Sequence, residues 1–363
     1  MACTKIFSGD LPEITNEIMR YFRDDFSTLY SCILVNRLWC RLAIPLLWED
    51  PFSLKNPKNY RYIEVYLYNL NDDDKIQLNG YGISNNLFLS NTLFNYSSFI
   101  QHLDTRKVSN SIEKWVSTIF INNTTQNLDF IKFIHKLLIK IFDENEATLH
   151  TLYVTYKGSY RDTIVSELVL RSSNFICNVR NLYLKINKCN ATDINPFLNF
   201  LSSNCNSISS LDFLFSQKVE LSLNYLTIDT NCNVNLGSIV LQHLGQILPS
   251  KLEYLNLILI IKPNDFKTFL KNLQNTFIKK LLINNIEKEE QEDILSYIKE
   301  YIMKKKRSEY LALLECFTVQ SYYTEVDLYS LKDEVKEFRL HNIIVQNYND
   351  LDIETHKFIH EMY

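Results

Sequence analysis

His356 and His360, in the stretch HKFIH, stand four residues apart, the spacing at which two imidazoles on one helical face can share a zinc ion. No glutamate follows the first histidine, as it does in hydrolytic zinc helices, and no obvious third ligand stands near. The segment therefore reads as an exposed C-terminal helix that holds no metal. The eight cysteines (Cys3, Cys32, Cys40, Cys177, Cys189, Cys205, Cys232 and Cys316) contain no C-x-x-C pair. They read as small buried apolar side chains in a reducing compartment, with neither a disulfide framework nor a zinc site. Glycine numbers only six, and no G-x-G-x-x-G, phosphate-binding loop or G-x-S-x-G turn occurs. No cofactor and no catalytic residue is expected. The catalytic alternative is an enzyme with an unfamiliar site in the C-terminal part.

The run KKKR, Lys304 to Arg307, fits a nuclear-import signal or the basic end of a helix that opens on EKEEQED. Acid at the start and base at the finish suit the helix dipole, which favours the second reading.

What must carry such residues is a chain of 363 amino acids, too long for one compact core and suited to about two domains, or to one domain and an extended array. Its net charge of −4 is spread over interspersed acids and bases, which argues against nucleic acid as a partner. The longest apolar run, YLNLILII from Tyr254 to Ile261, is strand-sized, so no membrane span is expected. The first residues, MACTKIFSGDLPE, lack the apolar centre of a secretory signal, and the expected location is intracellular, cytoplasmic or nuclear.

The first fifty residues hold three short helical patterns. Leu11-Pro12-Glu13 opens the first, with Ile14, Ile18, Tyr21 and Phe22 forming one apolar stripe. The second begins near Ser27 and puts Phe26, Leu29 and Ile33 on one face. The third carries Val35, Leu38, Trp39 and Leu42, and Pro45 is expected to end it. So small a unit buries little by itself, yet LVNRLWCRLAIPLLW (Leu34 to Trp48) still has apolar surface to hide, which points to docking on a partner. The bland alternative is a helical hairpin packed on the rest of the chain. An interfacial membrane helix is disfavoured, because the polar face is short and lacks lysines.

In LPEI, IMRYF, LVNRLWCRLA and PLLW, from about Asp10 to Pro51, the chain resembles the F-box family. The match is specific in the third helix and the Leu-Leu-Trp tail, and the first helix departs by one residue. The resemblance implies docking on the Skp-family adaptor of an SCF-type cullin–RING ubiquitin ligase and, through it, on cullin. Carried over position by position, it implies adaptor contacts at Leu11, Pro12, Ile18, Leu34, Val35, Leu38, Trp39, Leu42, Leu46, Leu47 and Trp48.

From Asn59 to about Glu146 the pattern is mostly helical, with loops expected around Asp72 and Asn122. After Glu146 an apolar-x-x-apolar-x-apolar pattern recurs in LHTLYV, VRNLYL, ISSLDF, LEYLNL, IKKLLI and VKEFRL, with a weaker copy, LALLEC, from Leu311. Starts differ by 30, 29, 44, 26, 33 and 24 residues, and the long interval suggests an insertion or a hidden copy near Leu223. Strand followed by helix at this period resembles a degenerate leucine-rich repeat, and a plain α/β domain is the alternative. The expected fold is thus α/β: a three-helix F-box over 1–55, a helical linker over 56–146 and a repeat-like α/β solenoid over 147–363.

Alternation along the repeat strands points Tyr153, Tyr183, Asp212, Asn256, Leu282 and Arg339 outward in one row, the expected grip on a target protein. Together these readings imply a non-catalytic substrate receptor. An F-box scaffold without ubiquitin transfer is the alternative.

Overall fold

A computed structural model describes residues 12–54, 57, 59–83, 92–120, 124–156, 175, 178–186, 224–230, 234–273, 276–287, 293–319 and 322–352. Among these the fold is mixed α/β, and the chain divides into two compact units, Met1–Leu149 and His150–Met362.

The first unit begins with helices α1 (Pro12–Tyr21), α2 (Phe26–Ile33) and α3 (Arg37–Leu47). Asp25 caps α2 by accepting the Thr28 N–H at 3.0 Å, and these Thr28 hydrogen bonds hold its carboxyl below the usual range. Asn36 caps α3 by accepting the Trp39 N–H at 2.9 Å, so the helix starts after Val35. Pro45 does not end α3. It costs one backbone hydrogen bond, and the helix runs two residues further, to Leu47, where the Trp48 N–H closes on the carbonyls of Ile44 and Pro45.

The buried row of α1 is also shifted from the expected stripe. Thr15 and Met19 are buried and Phe22 packs behind them, whereas Ile14 and Tyr21 are exposed. Met19, Leu29, Cys32, Trp39 and Ala43 form the core of the three helices, with Leu42, Leu46 and Leu47 packed against it.

The rest of this unit contains α4 (Tyr62–Tyr66), α5 (Asp72–Gly80), the short strand β1 (His102–Asp104), α6 (Thr105–Ile119) and α7 (Thr124–Glu144). Asp72 lies in a helix and not in the expected loop. Asn71 accepts the Asp74 N–H at 2.8 Å, and the three aspartates occupy the first turn, where the dipole favours acids. The loop expected around Asn122 lies outside the described residues. Trp48 meets the rings of Tyr66 and Tyr96 at 5.3 and 4.3 Å. Next to it the buried Glu49 pairs with Arg23 at 3.1 Å and His102 at 2.9 Å, the partnering a buried carboxylate requires.

The second unit is a sheet with helices. Strands β2 (Thr151–Tyr156), β3 (Asn181–Ile186), β4 (Tyr225–Asp229), β5 (Lys251–Leu259), β6 (Phe277–Asn285) and β7 (Ser308–Val319) run parallel, each paired with the next in chain order. Register partners pass from Thr151 through Asn181, Tyr225, Tyr254 and Lys280 to Tyr310. The long interval holds a further apolar-x-x-apolar-x-apolar copy in sequence, Leu223 to Ile228, whose second half lies in β4, while ISSLDF lies outside the described residues. Ser308, three residues before Leu311, starts the copy in β7, since Ile278 pairs with Ser308. VKEFRL forms no strand. It belongs to helix α11 (Lys332–Leu340), with Asp333 and Glu334 in its first turn and Arg339 in its last, a charge order that suits a helix.

Leu152, Val154, Leu182, Leu184, Leu226, Ile228, Leu255, Leu257, Leu281 and Ile283 are buried on one sheet face. Helices α8 (Val234–Ile247), α9 (Pro263–Asn272) and α10 (Leu295–Ile298, continued by a π turn over Lys299–Met303) lie between successive strands and pack side by side. Two glycines permit this closeness. A Cβ at Gly237 would stand 2.5 Å from the Ile260 carbonyl oxygen, and one at Gly245 would stand 2.7 Å from that of Phe269.

The basic run serves a neighbouring helix: Arg307 donates to the Leu270 and Leu273 carbonyls at the end of α9, at 3.4 and 3.1 Å. Lys304 to Lys306 form an exposed turn after the π segment. The described part of the unit continues with β8 (Tyr322–Asp327), antiparallel to β7, then α11, β9 (Ile344–Val345), parallel to β7, and the one-turn helix α12 (Tyr348–Leu351).

Candidate protein-docking surfaces

Apolar side chains on the three N-terminal helices divide into two sets. Trp39 lies in the core, only 9 % exposed, and Leu38, Leu42, Leu46, Leu47, Trp48 and Ile18 are half-buried. Leu34 is 75 % exposed and Val35 is exposed beside it, both in the turn between α2 and α3. Ile14, Tyr21 and Tyr30, none of them named as an adaptor contact from sequence, are exposed as well. Pro12 opens α1, and Leu11 lies outside the described residues. Burial of Trp39 has a simple origin: the cap at Asn36 fixes the phase of α3, and that phase turns Trp39, Ala43 and Leu42 toward Met19 and Leu29. Capping leaves Val35 ahead of the helix, on the outside.

On the sheet, the expected outward row is real as a register. Tyr153 pairs with Tyr183, Tyr183 with Thr227, Thr227 with Asn256, Asn256 with Leu282 and Leu282 with Ala312. Thr227 and Ala312 are members the sequence reading missed. The signal for Thr227 was the Leu223 copy, while Ala312 was hidden by starting the β7 copy at Leu311. Arg339 stands on α11, exposed and away from the row, because its segment is a helix. Asp212 lies outside the described residues, as do His356 and His360.

The two ends of the row differ. Tyr153 and Tyr183 are half-buried with ring centroids 5.7 Å apart, and Lys185 pairs with Asp229 at 2.7 Å one step along the same face. Asn256 and Leu282, expected to meet solvent, are 1 % and 0 % exposed. The chain itself covers them. Tyr348 and Leu351 of α12 pack with Tyr254, Leu282, Ala312, Leu314 and Cys316 in one buried cluster. The Tyr348 hydroxyl donates to Asn256 Oδ1 at 2.8 Å, and Asn256 Nδ2 donates to Asp352 Oδ1 at 3.0 Å. Tyr254 also donates to that carboxylate, at 3.1 Å. Burial, with Asp352 nearby, pushes the Tyr348 phenol well above its ordinary range, so it stays a donor.

Among the described residues no cluster of three or more histidine, cysteine or acidic side chains could hold a metal ion, and no helix is long and apolar enough to cross a membrane. The described cysteines Cys32, Cys40 and Cys316 are free thiols. What stays exposed or half-buried is an apolar set on the helices of one unit and the Tyr153–Tyr183 pair on a strand face of the other. Set against known protein families, characterised proteins and solved structures, the chain gives no match.

Proposed function

We propose that this chain is a non-catalytic substrate receptor of an SCF-type cullin–RING ubiquitin ligase. Its N-terminal helices form an F-box that docks on a Skp-family adaptor, and its parallel strands form a degenerate leucine-rich-repeat solenoid that holds a target protein. The carrying observation is the exposure of Leu34 and Val35, within the Leu-Val-x-Arg-x-Trp motif, on helices whose own core is already complete. An apolar pair left outside a satisfied core asks for a partner.

The solenoid reading draws support from β2 to β7, each strand pairing with the next in chain order. Asn285 adds to it. This fully buried side chain ends strand β6 and accepts the Ile261 N–H of the preceding turn at 3.1 Å, tying successive repeats together. Function then follows from proximity: the receptor raises the effective concentration of target lysines near a ubiquitin-charged enzyme and performs no chemistry itself.

The test is co-expression of the full chain with adaptor, cullin and RING subunit, followed by a ubiquitin-transfer assay on proteins captured by the complex. Assembly with transfer supports a receptor, and assembly without transfer fits the scaffold. Failure to assemble removes the F-box reading.

A further inference from the structure

We infer that the segment Asn347–Asp352 is a tethered mimic of the target, and that the β5–β7 face recognises a partner segment of the form Tyr-x-x-Leu-Asp. This rests on reading the strand face as the target-binding surface. The recognition is directional. Asn256 uses both ends of its amide, Oδ1 accepting from the Tyr348 hydroxyl and Nδ2 donating to Asp352. Tyr254 adds a second donor to the same carboxylate, and Leu282 with Ala312 and Leu314 supplies the apolar seat for Leu351.

A cover needed only for packing would leave apolar residues on those strands, since buried polar groups cost free energy unless each is paired. Here an asparagine that is 1 % exposed is matched by a hydroxyl donor and a carboxylate acceptor from one six-residue stretch. The stretch is a single helical turn, and just before it the Gln346 N–H donates to the Leu311 carbonyl of β7 at 3.0 Å. Its backbone is held by the Asp327 carboxylate at the Tyr348 N–H (2.8 Å), and the strand before it, β9, has two residues. Asn349 and Asp350 face outward. Strands β5 to β7 keep their own ladders without it, and their opposite face packs on helices. Release of the stretch would expose a preformed site, and a partner carrying the same groups would occupy it.

A fluorescent peptide spanning Val345–Glu354, VQNYNDLDIE, is titrated against the full chain and against a full-length Tyr348→Ala, Leu351→Ala variant. The variant should bind the peptide at least tenfold tighter than wild type, because its own segment competes poorly. Adding Asn256→Asp should remove that binding, as a carboxylate there repels Asp352 and donates nothing. A folded variant that binds no tighter than wild type overturns the inference, as does binding indifferent to Asn256→Asp.

Hydrogen exchange on the unaltered chain decides independently of whether the variant folds. The amides of Tyr348 to Asp352 should exchange at least tenfold faster than the β5–β7 ladder, and exchange in step with that ladder overturns the inference. Adaptor binding is measured in parallel. It depends on the other unit, so its loss would count against the F-box and leave the peptide result standing.

Discussion

Leu34 stands 75 % exposed in a stretch apolar enough to be a core, while Leu282 is fully buried on the strand face where alternation points it outward. Sequence alone reads both as docking contacts, and only Leu34 meets solvent. In the N-terminal helices the caps decide: Asn36 sets the phase of α3, Trp39 turns inward and Leu34 is left out. On the sheet the direction of each side chain is as alternation requires, but a segment from near the end of the chain lies over it. Direction is a local property, and exposure depends on what else the chain brings.

The sharpest way to break the comparison is Trp39→Ala. A core tryptophan of the helices should cost about 3–5 kcal/mol of unfolding free energy, read by urea denaturation. A loss below about 1 kcal/mol would mean that Trp39 faces a partner after all. Leu282→Ala should cost about 2–5 kcal/mol by the same measurement, although its position is nominally outward.

A pH effect of intermediate size is expected from His135. Burial in α7 pushes its imidazole down to about 3, against a smaller opposing effect of the Ile131 backbone. The folded state keeps it neutral while the unfolded chain protonates near 6.5. Its contribution is therefore present above that value and is lost progressively as pH falls toward 3. Between pH 7 and pH 5 this group should cost about 2 kcal/mol, a loss that His135→Leu should lack in paired unfolding curves.

The smallest stability effect belongs to Tyr153→Asp with Tyr183→Asp. These half-buried side chains should change stability by no more than about 1 kcal/mol while target capture in pull-downs is lost. Capture that survives removes the Tyr153–Tyr183 end from the grip and leaves the β5–β7 face to carry it alone.

Much of this was legible in the sequence because it is local. The three N-terminal helices, the parallel strands β2, β3, β5 and β6, which the copies at 149–154, 179–184, 252–257 and 278–283 overlap, and the register of Tyr153 with Tyr183 and Asn256 with Leu282 follow from periodicity of 3.6 or 2. What failed was local ambiguity or distance. VKEFRL satisfies the strand motif and a helical face equally, and its flanking charges, acids first and arginine last, decide for helix. DDD reads as a loop until Asn71 is recognised as its cap. Tyr348 meeting Asn256 joins residues 92 apart, and no short-range pattern announces such a pair.

The measurement closest to the central claim is calorimetric titration of a purified Skp-family adaptor into the full chain and into its Leu34→Asp, Val35→Asp variant. Both side chains are exposed, so the variant should keep its unfolding curve within about 1 kcal/mol of wild type. A one-to-one complex with wild type, weakened by about 2–4 kcal/mol in the variant, is the predicted result. No complex with wild type, or equal affinity in the two proteins, would contradict it.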